Sequence, residues 1–168
     1  MLVLCTGNSA RSQMAEGWLR QLGGGAFEVA SAGTQPTERV NPLAVKAMAE
    51  VGIDISARHP KHLERYLREH WDYVITVCDR ANEECPFFPG GGKRIHWSFD
   101  DPAAAVGDEE ARLQVFRRVR DEIRDRFASF IEQTRQRANA KRGGPGDAGR
   151  GEFAFRPEPD RSLAPPLD

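Results

Sequence analysis

Three cysteines and one arginine are the residues whose types and spacing could do chemistry here: Cys5, Cys78, Cys85 and Arg11. Cys5 closes a short apolar run, Leu2 to Leu4. The small loop Thr6-Gly7-Asn8-Ser9-Ala10 follows, then Arg11 and Ser12, where helical periodicity begins. A loop between a strand end and a helix start presents successive backbone N–H groups to a tetrahedral anion, with the helix N-terminus behind them. Arg11 can add a planar two-point contact to two of the anion's oxygens. The same positive field favours the thiolate of Cys5, so its pKa is expected to fall. Gly7 permits a tight backbone, Asn8 can order the loop through its amide, and Ser12 can donate its hydroxyl to the sulfur. A thiolate aimed at a bound oxyanion is a nucleophile for phosphate or arsenate. Packing is the commoner fate of a free cysteine, but Cys5 sits between strand and helix with Arg11 six residues on, which favours chemistry.

The elements that must hold these residues alternate. The run from Met14 to Leu22 has helical spacing and ends at Gly23-Gly24-Gly25, and Phe27–Ser31 alternates like a strand. Asn41 and Pro42 open a helix that Gly52 closes. Residues 61–70 read as a charged amphipathic helix, Asp72–Cys78 as a buried strand and Arg94–Trp97 as a shorter one. From Asp108 to Arg135 one long helix carries Leu113, Phe116, Val119, Ile123, Phe127, Phe130 and Ile131 on one face. Strands alternating with helices predict an α/β fold, an open parallel four-stranded sheet with helices on both faces. Active sites in such sheets lie at the carboxyl ends of the strands, where Cys5 and Cys78 fall. The catalytic domain is expected to span 1–137, and the Gly- and Pro-rich stretch 138–168 to be a disordered tail.

With 24 Lys plus Arg against 25 Asp plus Glu, no basic field points to nucleic acid or an anionic membrane. No segment approaches the roughly 18 apolar residues of a spanning helix. The expectation is a cytoplasmic protein, with thiols kept reduced and no disulfide framework. His59, His62, His70 and His96 show no metal-ligand spacing with the cysteines, so neither metal nor cofactor is expected.

The stretches "CTGNSARSQMAEGW", "SAGT", "VNPLAVKAMAEVGIDIS", "VITVCDRANEECP", "HWSFDDP" and "FRRVRDEI" together resemble the thioredoxin-coupled arsenate reductases, which are built on the low-molecular-weight protein tyrosine phosphatase fold. The resemblance covers residues 1–133. It implies that Cys5 attacks arsenate, Cys78 attacks Cys5 to release arsenite, and Cys85 attacks Cys78, leaving a Cys78–Cys85 disulfide for thioredoxin. Phosphate and sulfate would compete, and the protein would act as a monomer. It further implies Asp101, beside Pro102, as general acid, with Asp100 the neighbouring alternative. Asn8, Glu16 and Ser31 match a weak alkali-cation site of some members, but Lys61 stands at the place of a further acidic residue and would put an ammonium there. Ala10 replaces a second loop cysteine that many relatives carry.

A helix over 78–85 would hold the two Cα atoms roughly 10 Å apart along its axis, whereas a disulfide needs them within about 7 Å. The segment must therefore unwind, or be a loop, when oxidised. The competing readings are a low-molecular-weight phosphatase for phosphotyrosine or small phosphate esters, which needs one cysteine, and a non-catalytic oxyanion or thiol sensor.

Overall fold

The computed structural model describes residues 1–89 and 92–142. Strand β1 (Leu2–Cys5) leads into helix α1 (Arg11–Gly23), then β2 (Ala30–Gly33) and α2 (Pro42–Ala49). After a 3-10 helix at Leu63–Tyr66 come β3 (Tyr73–Thr76), α3 (Asp79–Glu84) and β4 (Lys93–His96). A second 3-10 turn, Pro102–Ala104, precedes the long α4 (Glu109–Arg142). The four strands are parallel, in the order β2-β1-β3-β4. The chain moves outward from β1 to β2 and then back across β1 to β3. That reversal opens a crevice at the carboxyl ends of the central strands, where Cys5 stands.

Alternation along the strands divides the interior in two. Val3, Cys5, Ile75 and Val77 pack with Met14, Trp18 and Leu19 of α1, Met48 of α2, and Phe116, Ile123 and Phe127 of α4. Leu2, Leu4, Ala32 and Val74 face the other way, onto Leu63, Tyr66, Trp71, Cys85 and Phe88. Both faces are covered, which is why β1 is an unbroken apolar run. The predicted apolar face of α4 is buried at every position named above.

Several boundaries differ from the sequence reading: β3 stops at Thr76, two residues short of Cys78, β4 is shifted by one residue, and three further differences bear on the site and its frame. The second strand begins at Ala30, and its register pairs Leu2 with Ala30 and Cys5 with Gly33. Small residues are needed there because the loop after Cys5 crosses β2: a Cβ on Gly33 would lie 2.4 Å from the Thr6 carbonyl oxygen. The helix expected over 61–70 shrinks to Leu63–Tyr66, whose Leu63 and Tyr66 are the buried residues. Charged residues around these two have no second apolar turn to bury. Finally, α4 continues past residue 137 to Arg142, and Arg135 donates to the carbonyls of Leu22 (3.1 Å) and Gly23 (3.3 Å), capping the end of α1. The remainder of the expected tail, 143–168, lies outside the described residues.

Candidate active site

The loop between β1 and α1 is held by its carbonyls. Cys5 O accepts from Thr34 N (3.2 Å), Thr6 O from Gln35 N (2.9 Å), Gly7 O from Thr37 N (2.9 Å) and Ser9 O from Asn41 N (2.8 Å). Asn8 O accepts from Gln13 Nε2 at 3.1 Å. Among the described residues no peptide bond is cis, so each carbonyl and the N–H of the next residue point to opposite sides of the peptide plane. The N–H groups of Thr6 through Ala10 make none of these loop contacts and are left to an anion. Ala10 is the N-cap of α1 and offers no side-chain cap, leaving the first helical N–H groups for an anion as well.

Asn8 keeps this shape. It is fully buried with φ 49°, a left-handed conformation that asparagine tolerates better than most residues. Its Nδ2 donates to Ser12 Oγ (2.8 Å) and Ser31 Oγ (3.0 Å), and its Oδ1 accepts from Lys61 N (2.9 Å). Since Ser12 accepts from Asn8, its own hydrogen is free for Cys5, to which it is hydrogen-bonded.

Arg11 stands at the rim with its side chain 13% exposed. Its Nη1 donates to Phe99 O at 3.0 Å, and its Nη2 lies 3.6 Å from Asp101 Oδ2. Asp101 also caps the Pro102–Ala104 turn through Ala103 N at 3.1 Å. Asp100 turns away to Arg118, 3.1 Å off. Of the two acids, only Asp101 joins Arg11.

Cys5 and Cys78 are buried neighbours. Their thiols act on each other, Thr6 Oγ1 lies 3.4 Å from Cys78 Sγ, and Cys78 caps α3 by accepting from Ala81 N at 3.4 Å. The hydrogen bond to Cys78 pushes the Cys5 thiol well above its usual pKa, and burial and the charge on Cys78 add to this; Ser12 and Arg11 pull the other way. Cys78 is drawn down to about 5, chiefly by the bond from Cys5, then by Thr6, Ala81 N–H and Arg11, against the cost of burial. The expected lowering at Cys5 is thus reversed in this arrangement. The Thr6 hydroxyl and the Ala81 N–H beside Cys78 favour the charge on that sulfur over its neighbour.

Cys85 is the C-cap of α3, buried on the other side of the sheet. Burial raises its pKa, with Arg94 opposing. The segment between Cys78 and Cys85 is thus helical in the dithiol form.

Glu16 does not build a cation cage with Asn8 and Ser31. Its Oε1 takes Arg20 Nε at 3.0 Å and lies 3.8 Å from Arg58, while Oε2 accepts the Ser31 hydroxyl at 2.5 Å. Asn8 turns its amide N–H, not its oxygen, toward Ser31. The oxygens already face donors, so these residues do not fit an alkali ion. No cluster of metal-ligating side chains occurs among the described residues, nor is any of their helices long and apolar enough to cross a membrane. The contacts of Thr6 with Cys78, of Phe99 O with Arg11 and of Gln13 with the loop were not readable from spacing, since each joins segments distant in sequence or depends on the loop's curl.

Comparison with known proteins gives one consistent result. The family model described as low molecular weight phosphotyrosine protein phosphatase matches residues 1–140. An arsenate reductase of Halalkalibacterium halodurans is 50% identical over 129 residues, 77% of this chain and 92% of that protein. A solved arsenate reductase in a phosphate binding state superposes with a TM-score of 0.68 at 33% identity, covering 79% of this chain and 95% of its own. A thioredoxin-dependent arsenate reductase of Corynebacterium glutamicum gives 0.58 at 28% identity, over 79% of this chain and 60% of that one. With an oxyanion loop, a buried thiol pair and these likenesses, the chain belongs to the low molecular weight phosphotyrosine protein phosphatase family, beside its arsenate reductases.

Proposed function

We propose that the protein reduces arsenate to arsenite by a relay through Cys5, Cys78 and Cys85, regenerated by thioredoxin. The observation that carries this reading is the placement of the three thiols: Cys78 bonded to Cys5 beneath the anion loop, and Cys85 across the six-residue helix α3. Hydrolysis of a phosphate ester has no use for the second and third. The likeness to the H. halodurans arsenate reductase supports the substrate, and the C. glutamicum relative supports thioredoxin as donor.

Arsenate sits in the loop with its oxygens on the Thr6–Ser12 N–H groups and Arg11. Cys5 Sγ bonds to arsenic as its thiol proton passes, by way of Asp101, to the departing oxygen, which leaves as water. The Cys78 thiolate then attacks Cys5 Sγ. The S–As bond breaks with its electron pair on arsenic, which falls from arsenic(V) to arsenic(III) and leaves as arsenite. Cys85 next attacks Cys78 Sγ, Cys5 departs as a thiol, and the Cys78–Cys85 disulfide is reduced by an external dithiol. The reduced thiols this cycle needs fit the cytoplasm. Phosphate and sulfate share the tetrahedral shape and compete, and slow phosphate ester hydrolysis by Cys5, Arg11 and Asp101 accompanies the main activity.

Two serine variants test the relay. Cys78→Ser should hydrolyse a phosphate ester but make no catalytic arsenite. Cys85→Ser should release one equivalent of arsenite per chain and stall as a Cys5–Cys78 disulfide, visible by non-reducing mass spectrometry. Many turnovers of Cys85→Ser with thioredoxin would overturn the three-thiol scheme.

A further inference from the structure

Helix α3 is tied at both ends to one strand. At its first residue, Asp79 Oδ1 lies 2.9 Å from His96 Nε2, and His96 Nδ1 lies 2.8 Å from the Thr76 hydroxyl. At its far end, Arg94 donates to Asn82 O, to Asn82 Oδ1 (3.3 Å) and to Cys85 O (3.4 Å). Arg94 and His96 are alternate residues of β4 and so share a face. The last carbonyls of a short helix have no partner inside it, and a guanidinium fork is suited to gathering two of them.

The Cys78–Cys85 disulfide cannot close across an intact α3, whose seven-residue span of roughly 10 Å exceeds the reach of about 7 Å. The end at Cys78 is anchored through His96 and the cap to Ala81 N. The end at Cys85 is the one that must open. Among the described residues its other polar ties outside the helix are Glu84 to Thr34 Oγ1 (2.7 Å) at the exposed surface and the longer Thr76 Oγ1 to Asn82 Oδ1 contact (3.4 Å), while Cys85 itself packs against Leu4, Val74 and Phe88.

We propose that Arg94 is a positioning residue, a clasp made only in the dithiol form, which sets the reduction potential of the Cys78–Cys85 couple. The inference rests on the relay proposed above. In that couple the disulfide accepts two electrons, with the S–S bond broken and each sulfur taking a proton only where its pKa lies above the pH, and only the reduced product regains the Arg94 contacts. Arg94 therefore makes the disulfide easier for an incoming dithiol to reduce. It also makes α3 slower to open when Cys85 must reach Cys78. Loss of its charge removes the one influence that lowers the Cys85 thiol. At neutral pH, though, the thiol is protonated with or without Arg94, and the equilibrium reads the clasp.

The test uses the full chain carrying Cys5→Ser, equilibrated at neutral pH in mixtures of reduced and oxidised dithiothreitol. Alkylation and mass spectrometry then count disulfide against dithiol. Arg94→Gln should shift the equilibrium toward disulfide about ten-fold, or roughly 30 mV more negative, and Arg94→Lys by less. The melting temperature of the reduced Arg94→Gln protein should fall while that of the oxidised protein stays. An unchanged or reversed equilibrium, or an equal fall of both melting temperatures, would overturn the clasp. No arsenate enters this titration, so a relay that fails with arsenate is detected separately, by the serine variants, and leaves the clasp measurable.

Discussion

Replacing Asn8 by alanine tests whether the anion loop is held from within. The substitution removes two donated hydrogen bonds, to Ser12 and Ser31, one accepted from Lys61 N, and a longer one from Gln13 Nε2 (3.2 Å), a donor that keeps the Asn8 carbonyl; Asn8 is fully buried. At about 1 kcal/mol net for each bond, and more where a buried group is left unpaired, the loss is about 3–4 kcal/mol. Alanine at φ 49° adds about 1 kcal/mol of backbone strain. The total, about 4–5 kcal/mol, is a large part of a small domain's stability. Asn8→Gly should recover only the strain, about 1 kcal/mol. Urea unfolding with matched slopes measures both, and calorimetric titration with phosphate measures the cradle. Phosphate affinity should collapse in both variants, since either leaves Ser12 and the loop N–H groups unordered. A loss under about 1.5 kcal/mol for Asn8→Ala, or a glycine variant no more stable than alanine, would refute this account of the loop.

Arg11→Lys should lose about 100-fold in activity, because an ammonium cannot hold Phe99 O and still present a planar fork to the anion; wild-type kinetics would remove Arg11 from the cradle. Asp101→Asn should lower turnover by about 100-fold or more while Asp100→Asn stays near wild type, since only Asp101 reaches Arg11; equal losses would reopen the choice of acid. In the wild type a single thiolate should persist from neutral pH down to about 5, the range of Cys78. Cys78→Ser removes the main influence that raises Cys5, so the Cys5 thiolate should then form at lower pH than in the wild type, with Ser12 and Arg11 assisting. Ultraviolet thiolate absorbance against pH checks this, and an ionisation near 5 that survives in Cys78→Ser would place the charge on Cys5 instead.

The strand-loop-helix from Leu2 to Leu22, the capped helix at Asn41-Pro42 and the apolar face of α4 were legible because each is a local pattern: apolar period, a capping residue, a glycine stop. The same local logic brought out Cys5 and Arg11 as a pair and put Cys78 at the end of a strand, whereas β3 stops at Thr76 and Cys78 caps α3 just beyond it. It misplaced β2, whose position is fixed by pairing with β1 and by the close crossing at Gly33 rather than by its own alternation. It overextended the helix at 61–70, where Leu63 and Tyr66 are buried and Leu67 packs at their edge, with no further apolar turn. Protonation lay beyond sequence altogether. The approach of Cys5 to Cys78 is a contact across 73 positions, made by the parallel pairing of β1 with β3. The charge state of each sulfur depends on distance and on donors such as Ala81 N and Thr6, which only folding brings to one sulfur. Residue types name the nucleophile and its anion; the packed sheet decides which sulfur holds the charge and where the third thiol must travel from.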